Sequence, residues 1–326
     1  MSPSAMVTGS HLVSKALQKE GVKNVFTLAG DHILPVMDIM SDSGLRFIDT
    51  RHEQAAVHMA DAWGRITGQP GVAMYTTPGF ANAIPGLSSA LHAEGPVLSI
   101  SGSAPLRELG RGAMQEIDQV GMARATTKGA WLVTDARRIP DMIANALRVA
   151  YSDRRGPTHL TIPIDIQQQE VSEDEVAFYE PGEYLNTASA PAASDLVEEA
   201  IALLREASRP LVIAGTAAAY GNAGDALQRF IETTRVPLMT EGDARGLLPD
   251  DHPYCFGFFD SALNRSAHLL PRADVVMLLG RKQDFIIQYA MPPAIATDAR
   301  IIQVDPSAAE IGRNREVAVS MIGDIE

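Results

Sequence analysis

The chain has 326 residues, 27 lysines and arginines against 40 aspartates and glutamates, and a formal net charge of −13. At roughly 100–200 residues per domain that length implies two domains, and a composition 46% hydrophobic and 21% charged is that of a globular chain, not a disordered one. No basic cluster is denser than Arg154-Arg155, which argues against nucleic acid or an anionic membrane as partner, and the single cysteine, Cys255, excludes an internal disulfide or a multi-cysteine metal site.

In chain order, residues 11–20 predict a helix with Leu12, Ala16 and Leu17 on one face, stopped by Gly21. Residues 25–28 predict a strand leading into Gly30-Asp31-His32, and residues 46–49 a second strand. Helical spacing of Ala56, Met59, Ala60 and Trp63 predicts a helix over 54–66, with Gly68 beyond its end. Strands are expected at 71–77, 97–101 and 160–164, and a helix opened by Pro140 at 140–152. Near-continuous apolar strands between helices mark a parallel sheet covered on both faces.

Residues 167–190 hold three glutamines, several acids, Pro181, Gly182 and Thr187-Ala188-Ser189 without a sustained apolar period, and so predict a linker. Alternation resumes with a helix at 194–207, a strand at 210–215, a helix at 222–234 and strands at 274–280 and 300–305. The expected fold class is α/β with two doubly wound parallel-sheet domains, residues 1–168 and 193–326, joined by a linker at 169–192.

The candidate chemical residues follow the predicted strands, where α/β folds build ligand sites. Arg51-His52-Glu53-Gln54-Ala55-Ala56 runs from a strand end into a helix, and Glu53 alone would pass for a first-turn acid complementing the helix dipole. His32 would pass for a solvated loop histidine, and Thr77-Pro78-Gly79 for a turn before a helix capped by Asn82. Gln115-Glu116-Ile117-Asp118-Gln119 would pass for a polar loop. His52 and His58 are six residues apart, off the His-Glu-x-x-His spacing of zinc proteases, so no metal ligands are expected. There is no P-loop and no Gly-x-Ser-x-Gly elbow, and Cys255 has no evident base near it in sequence.

Taken jointly and in order, Gly30-Asp31-His32, Arg51-His52-Glu53-Gln54-Ala55-Ala56, Thr77-Pro78-Gly79-x-x-Asn82 and Gln115-Glu116-Ile117-Asp118-Gln119 resemble the pyrimidine-binding domain of the thiamine-diphosphate-dependent enzymes of the acetolactate-synthase-like superfamily. The resemblance continues through Thr240-Glu241-Gly242-Asp243-Ala244-Arg245-Gly246, His252-Pro253 and Ile302-Gln303-Val304-Asp305-Pro306, which look like the middle, Rossmann-like domain. His32 and the 115–128 segment look closest to the benzaldehyde-lyase and 2-hydroxyacyl-CoA-lyase branch. The family's third, diphosphate-binding domain, with its Gly-Asp-Gly…Asn magnesium motif, is not in this sequence, which makes a fragment, a split subunit or a degenerate relative the expected alternatives.

The resemblance implies a lyase or carboligase acting on 2-hydroxy ketones or 2-hydroxyacyl thioesters. An acetolactate synthase-type enzyme, a 2-keto acid or oxalyl-CoA decarboxylase, and a non-catalytic relative are its rivals. It implies thiamine diphosphate as cofactor, with Mg2+ held by the third domain. Glu53 would bond the pyrimidine N1′ and favour the imino tautomer that serves as internal base, a task for which aspartate is a methylene too short and which glutamine could not perform. Thr77, Pro78, Gly79 and Asn82 would line the aminopyrimidine pocket, and His32 and Gln115 would face the substrate. Gly215, Arg281 and Asp305 hold positions resembling contacts to FAD or ADP in the middle domain, although Asp305 reads equally well as a turn cap before Pro306. The implied partners are a carbonyl or acyl-CoA substrate and a homodimer or homotetramer, or else a complementary subunit carrying the third domain. No secretory n-region is seen and no apolar run approaches the ~20 residues that span a bilayer, so the cytoplasm is the expected compartment.

Overall fold

In the computed structural model, which describes residues 5–181, 191–220 and 223–325, the chain separates into two units, residues 1–187 and 188–326. The first unit is built on a six-stranded, all-parallel sheet in the order β3-β2-β4-β5-β7-β6. Its strands are β2 (Asn24–Leu28), β3 (Arg46–Asp49), β4 (Gly71–Tyr75), β5 (Val97–Ser103), β6 (Gly129–Leu132) and β7 (Thr158–Pro163). Helices α1 (Gly9–Lys19), α2 (Leu34–Ser41) and α6 (Ile139–Tyr151) contribute to one apolar layer, and α3 (Glu53–Thr67) and α4 (Thr77–Ala93) to another. The central strands serve both. In β4, Val72 and Met74 join Leu12, Leu17, Ile143 and Leu147, while Ala73 and Tyr75 join Ala56, Val57, Ala60 and Phe80. Residues of alternating direction on a strand covered on both faces must all be apolar, which is why β4 reads as an unbroken hydrophobic run.

Sheet order fixes where a ligand can enter. From β2 the chain moves to β3 on one side, then returns to place β4 on the other side of β2. The switch point therefore lies between β2 and β4, and the crevice beyond their carboxyl ends is the site an α/β sheet offers. Register brings the same ends level: Thr27 pairs with Asp49 and Met74, and Tyr75 with Leu28 and Ser101. The segments that leave β2, β3 and β4 at this edge contain His32, Glu53 and Thr76-Thr77, and Gly102 lies next to the last residue of β5.

Several boundaries differ from the sequence expectation. The strand expected at 71–77 ends at Tyr75, because Thr77 already opens α4, with Pro78 in the first turn. Proline's fixed φ suits that position, so Pro78-Gly79 is helical and Asn82 lies inside the helix; the cap is Thr76. Part of the stretch read as linker is structured: β8 (Glu170–Ser172) pairs antiparallel with β1 (Met6–Thr8), and Val171 is buried. That pairing joins segments some 160 residues apart, beyond the reach of local composition. Residues 182–190 of the expected linker lie outside the described residues.

The second unit carries its own six-stranded parallel sheet, in the order β11-β10-β9-β12-β13-β14. Its strands are β9 (Pro210–Ala214), β10 (Leu238–Thr240), β11 (Cys255–Phe258), β12 (Val275–Leu279), β13 (Arg300–Asp305) and β14 (Val319–Ile322), with helices α7 (Ser194–Glu206) and α8 (Gly224–Thr234). The three-residue β10 and the glycine-containing β11 carried no strand signal in sequence; both are ordered by pairing, β10 between β9 and β11. The switch point here lies between β9 and β12, whose ends carry Gly215 and Gly280-Arg281.

Candidate active site

Glu53 is the first residue of α3. His52 caps that helix from an extended backbone, its Nδ1 accepting from Gln54 N at 3.2 Å, so the chain turns sharply off β3 and Glu53 is directed into the protein. The side chain is buried at 6% exposure. Its Oε2 accepts from Asn82 Nδ2 at 3.0 Å. Its other face rests on Gly79, where an added Cβ would lie 2.5 Å from Oε1 and 2.8 Å from Cγ. The close approach of α3 and α4 is made by small residues, since a Cβ on Gly86 would stand 2.9 Å from Val57 Cβ. The helix N-terminus supplies the favourable dipole for a carboxylate held there. Pro78 and Asn82 are exposed, so the carboxylate sits beneath an open rim.

His32 is 3% exposed and follows β2. Its Nδ1 lies 3.1 Å from Thr76 Oγ1 and 3.1 Å from Thr77 Oγ1, while its carbonyl accepts from Gln167 Nε2 at 2.6 Å. Burial pulls the imidazole below its ordinary range, and Asp31 beside it works in the opposite direction. Burial therefore favours the neutral ring, a state in which one nitrogen can accept a proton. Gly102 provides the floor: a Cβ there would collide with the His32 carbonyl.

The structure does not bring Gln115 into this cluster. Gln115 is exposed, with a left-handed φ of 57°, whereas Gln119 is buried at 2% and donates from Nε2 to Thr77 Oγ1 at 3.2 Å and to Gly102 O at 3.0 Å. Gln119 is the first residue of a short helix, α5 (Gln119–Ala123), capped by Asp118, whose carboxylate accepts from Gly121 N at 2.8 Å. Both glutamines belong to the string read as one polar loop. What could have separated them is that Asp-Gln followed by Val-Gly-Met-Ala looks like a cap and first turn, which directs the second glutamine inward.

In the second unit, Gly215 and Arg281 face each other across the switch point. A Cβ on Gly215 would lie 2.6 Å from Gly280 O and 2.7 Å from Arg281 Cα. Arg281 is 3% exposed and pairs with Glu241 at 3.1 Å and with Asp284, while its Nε is buried without a partner among the described residues. Asp305 is fully buried at the end of β13, and its Oδ1 accepts from Ser307 N at 3.0 Å, the turn-capping arrangement. Among the described residues no group of three His, Cys, Asp or Glu side chains could hold a metal, and no helix is long and apolar enough to cross a membrane.

A parallel sheet with a buried glutamate and a buried histidine at its switch point has the arrangement from which α/β folds build ligand sites. Comparison with known proteins gives the family: residues 7–122 match the thiamine pyrophosphate enzyme N-terminal TPP binding domain, and residues 197–326 match the central domain of the same enzymes. The chain belongs to the thiamine pyrophosphate enzymes, represented here by these two domains. It is 32% identical over 326 residues to a probable acetolactate synthase large subunit of Methanocaldococcus jannaschii, aligning 97% of this chain with 54% of that protein. It is 33% identical to a 2-hydroxyacyl-CoA lyase of Arabidopsis thaliana, over 98% of this chain and 55% of the relative. It is also 33% identical to an oxalyl-CoA decarboxylase of Escherichia coli, over 98% of this chain and 56% of the relative. The chain thus spans about half the length of the curated relatives it matches.

Proposed function

We propose that this chain supplies the pyrimidine-side half of a thiamine-diphosphate site in an enzyme that breaks or forms the carbon–carbon bond of 2-hydroxyacyl thioesters or 2-hydroxy ketones. The observation that carries this reading is the Glu53 carboxylate, buried at the switch edge, clamped by Asn82 and resting where Gly79 lacks a Cβ. The cradle suits an aminopyrimidine: Glu53 would hold a ring nitrogen, and Thr77, Pro78, Gly79 and Asn82 would form the rim. When bound, thiamine diphosphate supplies a carbanion at its thiazolium carbon and an electron sink for the substrate carbonyl. Within this chain, Glu53 holds or returns the proton at the ring nitrogen, and the apolar wall of α3 and α4 excludes water from it. Mg2+ would be held outside these two domains, and the Gly215–Arg281 crevice would take FAD or ADP, Arg281 Nε offering it an uncommitted donor.

Near-equal identities to the three relatives do not choose among lyase, synthase and decarboxylase. His32 favours the lyase. Cleavage between C1 and C2 of a 2-hydroxyacyl thioester requires removal of the hydroxyl proton, which a neutral imidazole at this edge can accept; loss of carbon dioxide requires no such base. Within a longer polypeptide a homodimer or homotetramer, or else a complementary subunit, would bring a diphosphate-binding domain opposite this edge, and a cytoplasmic acyl-CoA pool would be the substrate source. The test is product identity, with the chain combined with a diphosphate-binding domain. Release of an aldehyde from a 2-hydroxyacyl thioester is expected, and carbon dioxide from an oxalyl thioester or a 2-keto acid as the sole product refutes the lyase reading.

A further inference from the structure

Three glutamines stand in a row at 167–169, in the stretch whose composition reads as linker, and they end in different places. Gln167 is 1% exposed, whereas Gln168 is exposed and Gln169 half-buried. Gln167 lies near the end of the short helix Ile164–Gln168 that leaves β7. Its Nε2 is 2.6 Å from His32 O and 2.7 Å from Ile162 O. Both neighbours are backbone carbonyls, which carry no hydrogen, so the end of the carboxamide facing them is the NH2 end. Oε1 is buried without a partner among the described residues. Leaving an acceptor unpaired in the interior is costly, so what the side chain contributes is its two donors. They tie the end of β7 to a turn 135 residues away in sequence.

That turn has little structure of its own. Asp31–Ile33 is a single three-residue 3₁₀ turn with no side-chain cap, and it is held by what surrounds it. A Cβ on Gly30 would stand 2.4 Å from Thr76 Cγ2, and a Cβ on Gly102 would stand 1.9 Å from His32 O, so the turn lies flush on both strand ends. The His32 N–H donates to Thr76 Oγ1 at 3.3 Å, and Gln167 supplies the donor for the His32 carbonyl. Gln167 is braced in turn by the start of α1. Its own carbonyl accepts from Ser10 Oγ at 3.0 Å, and Gly9 N donates to Gln169 O at 3.0 Å. We propose that Gln167 is a positioning residue: by holding the His32 carbonyl against Gly102, it fixes the place of the imidazole at the crevice.

That His32 serves a substrate hydroxyl rests on the function proposed above; the tether does not, and it can be read without cofactor or substrate. The histidine titrations of the full chain are followed by NMR with nitrogen-15 histidine, and His32→Gln and His159→Gln assign the signals. Burial holds His32 below 6.5, with Asp31 opposing. Gln167→Met keeps the length and removes both donors; Gln167→Asn keeps a buried amide but is a methylene too short to reach the two carbonyls. In both, the His32 midpoint is expected to move toward 6.5 as the turn loosens and water reaches the ring, while the buried His159, which has no hydrogen bond to Gln167, keeps its signals. An ordinary midpoint in the unsubstituted chain, an unmoved His32 in whichever variant folds, or a shift of both histidines together overturns the proposal. With a diphosphate-binding domain supplied, Gln167→Asn is expected to slow cleavage of a 2-hydroxyacyl thioester by about a hundredfold, the scale of a small misplacement of a reacting group, at an unchanged rate of proton exchange at the thiazolium carbon. Undiminished cleavage in His32→Gln removes His32 from the proposed function and leaves the tether to the NMR result. Cleavage lowered in His32→Gln but not in Gln167→Asn overturns the positioning role alone.

Discussion

Gly79→Ala isolates the contact that defines the site. In an ordinary helix position the added methyl would stabilise, since alanine is favoured over glycine by about 1 kcal/mol. Here the new Cβ would stand 2.5, 2.8 and 2.9 Å from Oε1, Cγ and Cδ of Glu53, closer than real Cβ contacts come. The carboxylate must swing away, and the 3.0 Å bond from Asn82 is lost with it. A hydrogen bond to a charged group contributes about 1.5–3 kcal/mol, so the net change is a loss of about 1 kcal/mol. For a unit of this size that lowers Tm by about 2–4 °C. The expected outcome is a lower Tm together with displaced NMR signals of the Asn82 side-chain amide. A raised Tm with an unmoved Asn82 amide would show that Glu53 does not rest on Gly79.

Two further expectations concern pH. Burial raises the Glu20 carboxyl from 4.5 to about 7, and its Oε2 has no partner among the described residues. Between those values the folded chain holds a proton that the unfolded chain has released, so stability falls as pH rises through that window. Glu20→Gln is expected to stabilise above pH about 7 and to be without effect at pH well below 4.5, checked by urea unfolding across pH. Burial lowers His159 from 6.5 to about 3, so there the unfolded chain binds the extra proton and stability falls as pH drops. The expected slope is about 1.4 kcal/mol per pH unit, and a His159→Gln variant with the same slope as the unsubstituted chain would contradict it.

Most of the architecture was legible because it depends on local signals. Val72, Ala73 and Met74 read as buried strand because both faces of the sheet are covered, and Gly68 marked the end of α3 because it adopts φ 68°. What was missed depends on partners distant in sequence. Val171 looks like one apolar residue in an acidic stretch until β8 meets β1, and β10 becomes a strand only between β9 and β11. The site divides in the same way. The order of motifs along the chain singles out Glu53, Thr77, Gly79 and Asn82 as candidates, and the structure brings Gly79 and Asn82 against Glu53, with Asn82 bonding Glu53 and not capping a helix. Gln119 and Gln115 share composition and neighbourhood but differ in burial, and in sequence only the Asp118 cap before the first turn of α5 distinguishes them.

Glu53 is proposed to control a proton on a bound aminopyrimidine, and the rate of deuterium exchange at the thiazolium carbon of thiamine diphosphate reads that control. The measurement is made with this chain supplied with a diphosphate-binding domain, with and without Glu53→Gln. A substitution that preserves size and the Asn82 contact but cannot take up or release a proton is expected to slow exchange by several orders of magnitude while leaving Tm nearly unchanged. Equal exchange rates in the two proteins would remove Glu53 from the chemistry.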